Sequence, residues 1–371
     1  MKKVYLHLLT VSFVLNCIGT ASAVNWVKKD SPFPGDAGEN AVSFVIGSKA
    51  YVGTGYLYKN YQNEYFDDFW QYDSETEIWT KIADFPGDAR NEAISFSANG
   101  KGYVGLGYSR SGWDSFYYKD FYEYDPENDT WTKIADFPDA RTGSVVFVIN
   151  DVAYVGTGYD RDLEELKSDF YKYESGKWTA VASLPTDEAR DNATAYALHG
   201  QGYVVSGGYG PGVFGATDSV WEYDPVSNTW KKNGYFSIAS NLLRSYVSNN
   251  TPYVLLRNEL YKYDSEDGWL YTGTVLDDMK DISNPTLFVI NNIPYLTLGT
   301  YGGFFDSFEN SDLWYDADAV KANSIGNSTT VTKKMAVNYY NIRGQKLSQE
   351  PENGLYIILY DDGTSEKVIK R

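Results

Sequence analysis

Three arginines fall at one repeated place along the chain. When the sequence is aligned on Tyr103, Tyr154 and Tyr203, Arg90, Arg141 and Arg190 stand in register. A guanidinium presents a planar fork of donors that pairs a carboxylate or another anion through two bonds at once. The next two positions of the units bring Glu39, Asn40, Asn91, Glu92, Asp191 and Asn192. The carboxylates Glu39, Glu92 and Asp191 are of a type that exchanges protons with a sugar once positioned against it. A structural use competes with this one, in which each arginine bridges neighbouring sheets through Glu92 or Asp191. A second group is aromatic: Tyr56, Tyr108, Trp113, Tyr159 and Tyr209 lie in long loop segments. Their faces offer stacking surface to sugars and anchors to proteins, or else pack loop against loop.

Other chemistries are excluded by composition. Cys17 is the only cysteine and the two histidines are His7 and His199, so thiolate catalysis, disulfides and a multi-histidine metal site have no residues to build them. No catalytic constellation stands out, and neither a cofactor nor a metal is expected. The formal charge is −18; residues 1–23 contribute +2 and residues 321–371, with eight basic and five acidic side chains, contribute +3, which leaves −23 on residues 24–320. Such a body repels phosphate backbones, so nucleic acid is not an expected partner.

The start of the chain reads as a targeting segment. Lys2 and Lys3 precede a mostly apolar run from Val4 to Ile18, and Ala21-Ser22-Ala23 supplies a small-x-small cleavage pattern. Residues 1–23 are accordingly taken as a signal peptide, with lipid attachment at Cys17 as the alternative. No later stretch has the ~18 apolar residues of a membrane-spanning helix.

Positioning of the candidate residues falls to a repeat. Trp26, Trp79, Trp131, Trp178, Trp230 and Trp269 recur at intervals of 53, 52, 47, 52 and 39 residues, a spacing that points to a propeller. Each unit holds four strand-like pieces. In the second, apolar residues run to a turn at Asn99-Gly100, a second strand starts near Tyr103, the Phe121–Tyr124 piece alternates, and Trp131 opens the outer strand. An apolar run such as Ser144–Ile149 suits a strand buried on both faces. Four antiparallel strands in sequence make one propeller blade. Trp26 has no blade before it, and the sixth unit has no following tryptophan, so the N-terminal strand is expected to complete the last blade and remove a free sheet edge.

The Gly207-Gly208 pair and its counterparts Gly53-x-Gly55, Gly105-x-Gly107 and Gly156-x-Gly158, followed by Tyr-Asp and then Trp, resemble the kelch repeat. The resemblance covers residues 24–318 and implies an all-β, six-bladed propeller. It also implies that the arginine position faces a ligand at the mouth of the central channel. Copper radical oxidases, another kelch group, need histidines and a crosslinked cysteine that this chain lacks.

Residues 319–332 are small and polar and read as a linker, and residues 333–371 read as a small β appendage. The features Tyr340-Asn341-Ile342-x-Gly344-Gln345, Gly354-Leu355-Tyr356-Ile357-Ile358 and a closing Lys-Val-Ile-Lys-Arg resemble the sorting tail of type IX secretion cargo. That resemblance implies passage to the cell surface or the medium by that machinery. The combined expectation is an exported, non-enzymatic binding protein whose long-loop face takes a glycan or a protein. Two alternatives stay open: a sialic-acid mutarotase (N-acetylneuraminate epimerase)-like enzyme, whose carboxylate-bearing substrate the arginines would hold, and a scaffold of a surface complex.

Overall fold

The computed structural model describes residues 25–36, 38–59, 62–210, 215–275, 282–303, 306–328, 336–341, 346–347, 351, 354–360 and 365–370. The signal-peptide reading of residues 1–23, Cys17 included, lies outside these. The described residues divide into two units, one ending at Ala317 and the other running from Asp318 to the C-terminus.

The first unit holds six four-stranded antiparallel sheets, each a meander. Blade one comprises Val42–Ile46, Lys49–Gly53, Phe69–Asp73 and Ile78–Lys81. Blade two comprises Ile94–Ala98, Lys101–Gly105, Phe121–Asp125 and Thr130–Lys133, and blade three Val145–Ile149, Val152–Gly156, Phe170–Glu174 and Lys177–Val181. Blade four runs from Thr194–Leu198 to Thr229–Tyr235, and blade five from Leu243–Ser248 to Gly268–Thr274. Blade six takes Thr286–Ile290, Ile293–Thr297 and Trp314–Asp316 from the end of the unit and Trp26–Lys28 from its start. Trp26 pairs with Asp316 and Lys28 with Trp314, so the ring is closed by the strand the sequence left unpartnered.

The repeated residues hold blade to blade. The indole N–H of Trp131 donates to the Ala83 carbonyl at 2.9 Å, and Trp79, Trp178 and Trp230 do the same to Ser31, Ala135 and Ala182. Each bond reaches from an outer strand to the end of the preceding blade's outer strand, which is why the tryptophans keep the period of the blade. Between blades one and two, Phe44 stacks on Tyr51 with centroids 5.0 Å apart and meets Tyr124 and Trp131 of the next sheet. A Cβ on Gly102 would sit 2.0 Å from that Phe44 ring, so the ring's place requires glycine there. Gly107, at φ +89°, donates its N–H to the Arg141 carbonyl of the connector to blade three. Gly55, Gly158, Gly207 and Gly299 make the same bond to the next connector at positive φ, where only a tolerant residue fits, whereas blade five has Leu255-Leu256 in place of a glycine pair.

Two local expectations are adjusted. The inner strand Val145–Ile149 alternates buried and half-buried rather than being buried on both faces, because Val146 passes along the axial channel. The long loops are mostly ordered ribbons: Tyr56–Lys59 pairs with Gln62–Tyr65, Tyr108–Ser111 with Asp114–Tyr117, Tyr159–Asp160 with Glu165–Leu166, and Thr300–Gly303 with Asp306–Glu309.

In the second unit, a helix at Ala317–Ser328 begins at the unit boundary and occupies most of the segment read as a linker. Ala317, Ala319 and Ala322 favour helix, which the polar composition had obscured. A four-stranded sheet follows, ordered Lys346–Leu347, Ala336–Asn341, Gly354–Tyr360 and Ser365–Lys370. The last two strands form the expected hairpin, whose turn at 361–364 lies outside the described residues. Among the described residues no helix is long and apolar enough to cross a membrane.

Candidate functional site

Each inner strand is approached by three residues, and these build the channel mouth. The first of the three is Gly38, Arg90, Arg141, Arg190, Ser240 or Ile282. Its arginines lie behind the mouth rather than on it. Arg90 is fully buried; it donates to both Asp120 oxygens at 2.6 and 3.2 Å, to the Leu106 carbonyl and to the Asp88 carbonyl. Its guanidinium lies over the Tyr118 ring at 4.0 Å. Arg141 pairs with both oxygens of Asp169, at 2.7 and 2.9 Å, and with Asp139. Arg190 bonds Glu188, the Ser206 carbonyl and Ser219 Oγ. The expected ligand-facing role of Arg90, Arg141 and Arg190 is thus corrected: their donors are taken up inside their own blades. The competing bridge to Glu92 or Asp191 is not formed either. Each fastens the connector to the corner between second and third strands, where orphan carbonyls collect.

The second position forms backbone bridges that anchor the ribbons, Glu39 to Tyr56, Asn91 to Tyr108, Thr142 to Tyr159 and Ser283 to Thr300, and in blade four Asp191 bridges to Gly208. The Glu39 carboxylate accepts from Asn284 Nδ2 at 2.7 Å and from the Tyr56 hydroxyl, and burial pushes its pKa up. Asn91 is buried and donates to the Tyr108 hydroxyl at 3.3 Å. Burial also raises Asp191 above the usual carboxylate range.

The third position turns the chain onto the inner strand with a left-handed residue: Asn40 at φ +55°, Glu92 at +52°, Gly143 at +61°, Asn192 at +49° and Asn284 at +47°. Asparagine and glycine suit that conformation, whereas glutamate stands there at a cost of about 1 kcal/mol. A strained residue held at a cavity marks a candidate for function. Glu92 lines two cavities. One is a mouth cavity of about 230 Å³ that also presents Tyr108, Arg110, Tyr117, Tyr159, Arg161 and Asp191. The other is the axial channel of about 270 Å³ between the inner strands. Asn192 lines both. Burial, reinforced by the nearby Asp191 charge and opposed by Arg244 and Arg161, lifts the Glu92 carboxyl to about 7. A carboxyl with that value both gives and takes protons near neutrality.

The loop tyrosines divide. Tyr108 stacks on Tyr117 at 5.9 Å and, with Tyr159, walls the mouth cavity. Burial and then the Glu92 charge raise the Tyr108 hydroxyl to about 12, which keeps it a neutral donor. Tyr56 stacks on Tyr65 and serves Glu39. Tyr209 and Trp113 are both exposed and line neither cavity, Trp113 at a ribbon tip.

Three arginines at the mouth were missed. Arg161 donates Nε–H to the Tyr117 hydroxyl at 3.0 Å and lies over the Tyr159 ring at 5.3 Å. Arg110 lines the same cavity. Arg244 donates to Asn40 Oδ1 at 2.7 Å and Asn284 Oδ1 at 3.1 Å, spanning blades five, six and one. One signal was available: Arg244 stands where the other inner strands have Val42, Ile94, Val145, Thr194 and Thr286. A further signal lay in the same alignment: Arg110 and Arg161 each stand seven residues past their second-strand tyrosine, Tyr103 and Tyr154, and so share one register.

No family model matches the chain. Among curated proteins it is similar to N-acetylneuraminate epimerase of Yersinia enterocolitica, 24% identical over 193 residues, 51% of this chain and 45% of that protein. The epimerase of Shigella boydii is 35% identical over 88 residues, 23% of this chain and 24% of that protein. Kelch-like protein 35 of Mus musculus is 28% identical over 202 residues, 53% of this chain and 33% of that protein. The chain thus spans less than half the length of these relatives. The solved structure of YjhT superposes with a TM-score of 0.63 over 77% of this chain and 95% of that one, at 16% identity, a likeness of fold. These matches overturn the expectation of a non-enzymatic binder: the bacterial relatives are epimerases, in line with the alternative reading.

Proposed function

We infer, from a chain that is a kelch-type six-bladed β-propeller, an enzyme that exchanges the anomers of an acidic keto sugar such as N-acetylneuraminate. The observation that carries this reading is Glu92, strained, lifted to about 7 and shared by the mouth cavity and the axial channel. The printed names of the bacterial relatives support the substrate class.

Anomer exchange at a hemiketal needs a proton taken from the anomeric hydroxyl and one given to the ring oxygen. The carbon–oxygen ring bond then breaks to leave an open-chain ketone, which recloses on its other face. In this reading Glu92 serves as the acid that protonates the ring oxygen, and Asp191, on the same cavity wall, is the partner base. Reclosure reverses both transfers. Arg110 and Arg161 supply guanidinium groups for the substrate carboxylate. Tyr108 and Tyr159 offer ring faces and hydroxyl donors to the sugar.

The proposed address is outside the inner membrane, supported by the leader-like residues 1–23, with residues 333–371 as a sorting signal for type IX secretion. The test of the activity is NMR exchange spectroscopy of N-acetylneuraminate anomers with purified protein. Acceleration over the uncatalysed rate, lost about 100-fold in Glu92→Gln, upholds the reading. A wild-type protein that leaves the exchange rate unchanged ends it.

A further inference from the structure

Blade five differs from its neighbours at the mouth. Blades one, two, three and six carry a ribbon between second and third strands. In blade five, Thr251–Leu256 passes to Glu259–Asp264 through Arg257 and Asn258 alone. No ribbon stands over the mouth there, and a cavity of about 200 Å³ lies in its place. Leu242, Leu255 and Ile282 give it apolar walls, and Arg244 and Arg257 give it two guanidinium groups. It shares Arg244 and Pro285 with the axial channel, so it adjoins the cavity that Glu92 lines.

The two arginines are in different states. Arg244 is held by Asn40 and Asn284. Arg257 is exposed, sits at φ +53° in the tight turn, and has no hydrogen bond or ion pair among the described residues. The chain carries 50 acidic against 32 basic residues, so an arginine beside a cavity with no carboxylate partner is a donor left for something else. Paired guanidinium groups over apolar walls suit a carboxylate whose neighbouring substituent is an apolar acyl group.

We propose that this cavity is a second sugar subsite. It takes the next acidic residue of an oligosaccharide whose free reducing-end unit lies against Glu92. The inference rests on the anomer-exchange reading for the identity of the first unit. The natural substrate is then a short acidic oligosaccharide, with the monosaccharide as a lesser one.

The probes are N-acetylneuraminate and its α2,8-linked disaccharide, tested on the full chain and on Arg257→Ala. Arg257 is exposed and its backbone conformation costs alanine no more than arginine, so the fold is not at risk. Binding is read by titration calorimetry and turnover by NMR exchange. The disaccharide is expected to bind about tenfold tighter than the monosaccharide, with that advantage lost in Arg257→Ala and monosaccharide affinity unchanged; Arg257→Lys is expected to restore part of it. Equal affinities for both sugars, or an equal loss for both in Arg257→Ala, would overturn the subsite. Arg257-dependent disaccharide binding without any anomer exchange would keep the subsite and sink the catalytic reading; exchange without the disaccharide preference would do the reverse.

Discussion

At the residue scale, one carboxyl and one arginine make opposite uses of burial. Glu92 is lifted from 4.5 to about 7 because its ionised form is poorly solvated and faces Asp191. The folded state therefore holds its proton more tightly than the unfolded chain does. This contribution to stability is fully present below pH 4.5 and is lost as pH rises through about 7. Chemical denaturation should accordingly show Glu92→Gln gaining on the wild type between those limits, by up to about 3 kcal/mol at pH 8. A flat difference across that window would mean that Glu92 is solvated. Arg141 is buried and charged with its partners in place, so the penalty falls on breaking the set. Arg141→Met leaves Asp169 and Asp139 facing one another and should cost about 3–5 kcal/mol. A loss below about 1 kcal/mol, or a specific loss of ligand affinity in a fully stable variant, would return Arg141 to the mouth.

At the element scale, the outer strands and the ribbons are separate systems. The outer-strand tryptophans knit the ring, and the ribbons shape the site. Trp131→Phe keeps the ring packing against Phe69 and Phe85 but removes the indole bond to Ala83. It should cost about 1 kcal/mol of stability while leaving sugar exchange unaltered. Trp113→Ala, at a fully exposed ribbon tip, should change denaturation free energy by less than about 0.5 kcal/mol and leave monosaccharide turnover intact. Melting the two variants side by side separates the roles. If the ribbon variant were the less stable one, the division would be misplaced.

At the scale of the whole molecule, charge and closure matter most. Residues 24–320 carry −23 in a chain whose formal charge is −18, yet the substrate proposed for it is an anion. Arg110, Arg161 and Arg244 make a local positive field inside a negative surround. Long-range repulsion slows encounter and is screened by salt, whereas contact with the arginines inside the cavity is screened much less. Second-order turnover of N-acetylneuraminate should thus rise about twofold between 0.01 and 0.15 M salt. A fall over that range would show that steering by the mouth outweighs the body.

Much of this architecture was open to inspection in the residue order. The tryptophan period, the glycine pairs and the unpartnered strand at Trp26 declare six closed blades, because a propeller repeats the same local contacts once per sheet and so writes them periodically. The left-handed turn residues Asn40, Asn192 and Asn284 are of the same kind. Periodicity misled at Arg90, Arg141 and Arg190 for the same reason: a residue that recurs in every similar blade is first of all part of what each blade needs. Function departs from the repeat. Glu92 breaks a run of asparagine and glycine, Arg244 breaks a run of valine, isoleucine and threonine, and Arg110 and Arg161 share a register position that the other four units fill with Tyr58, Gly210, Leu260 and Gly302. Only the closed ring brings these four to one mouth, because the axis where they meet is made by sheets far apart in the chain, and burial there, which no local sequence records, sets the Glu92 proton near neutrality.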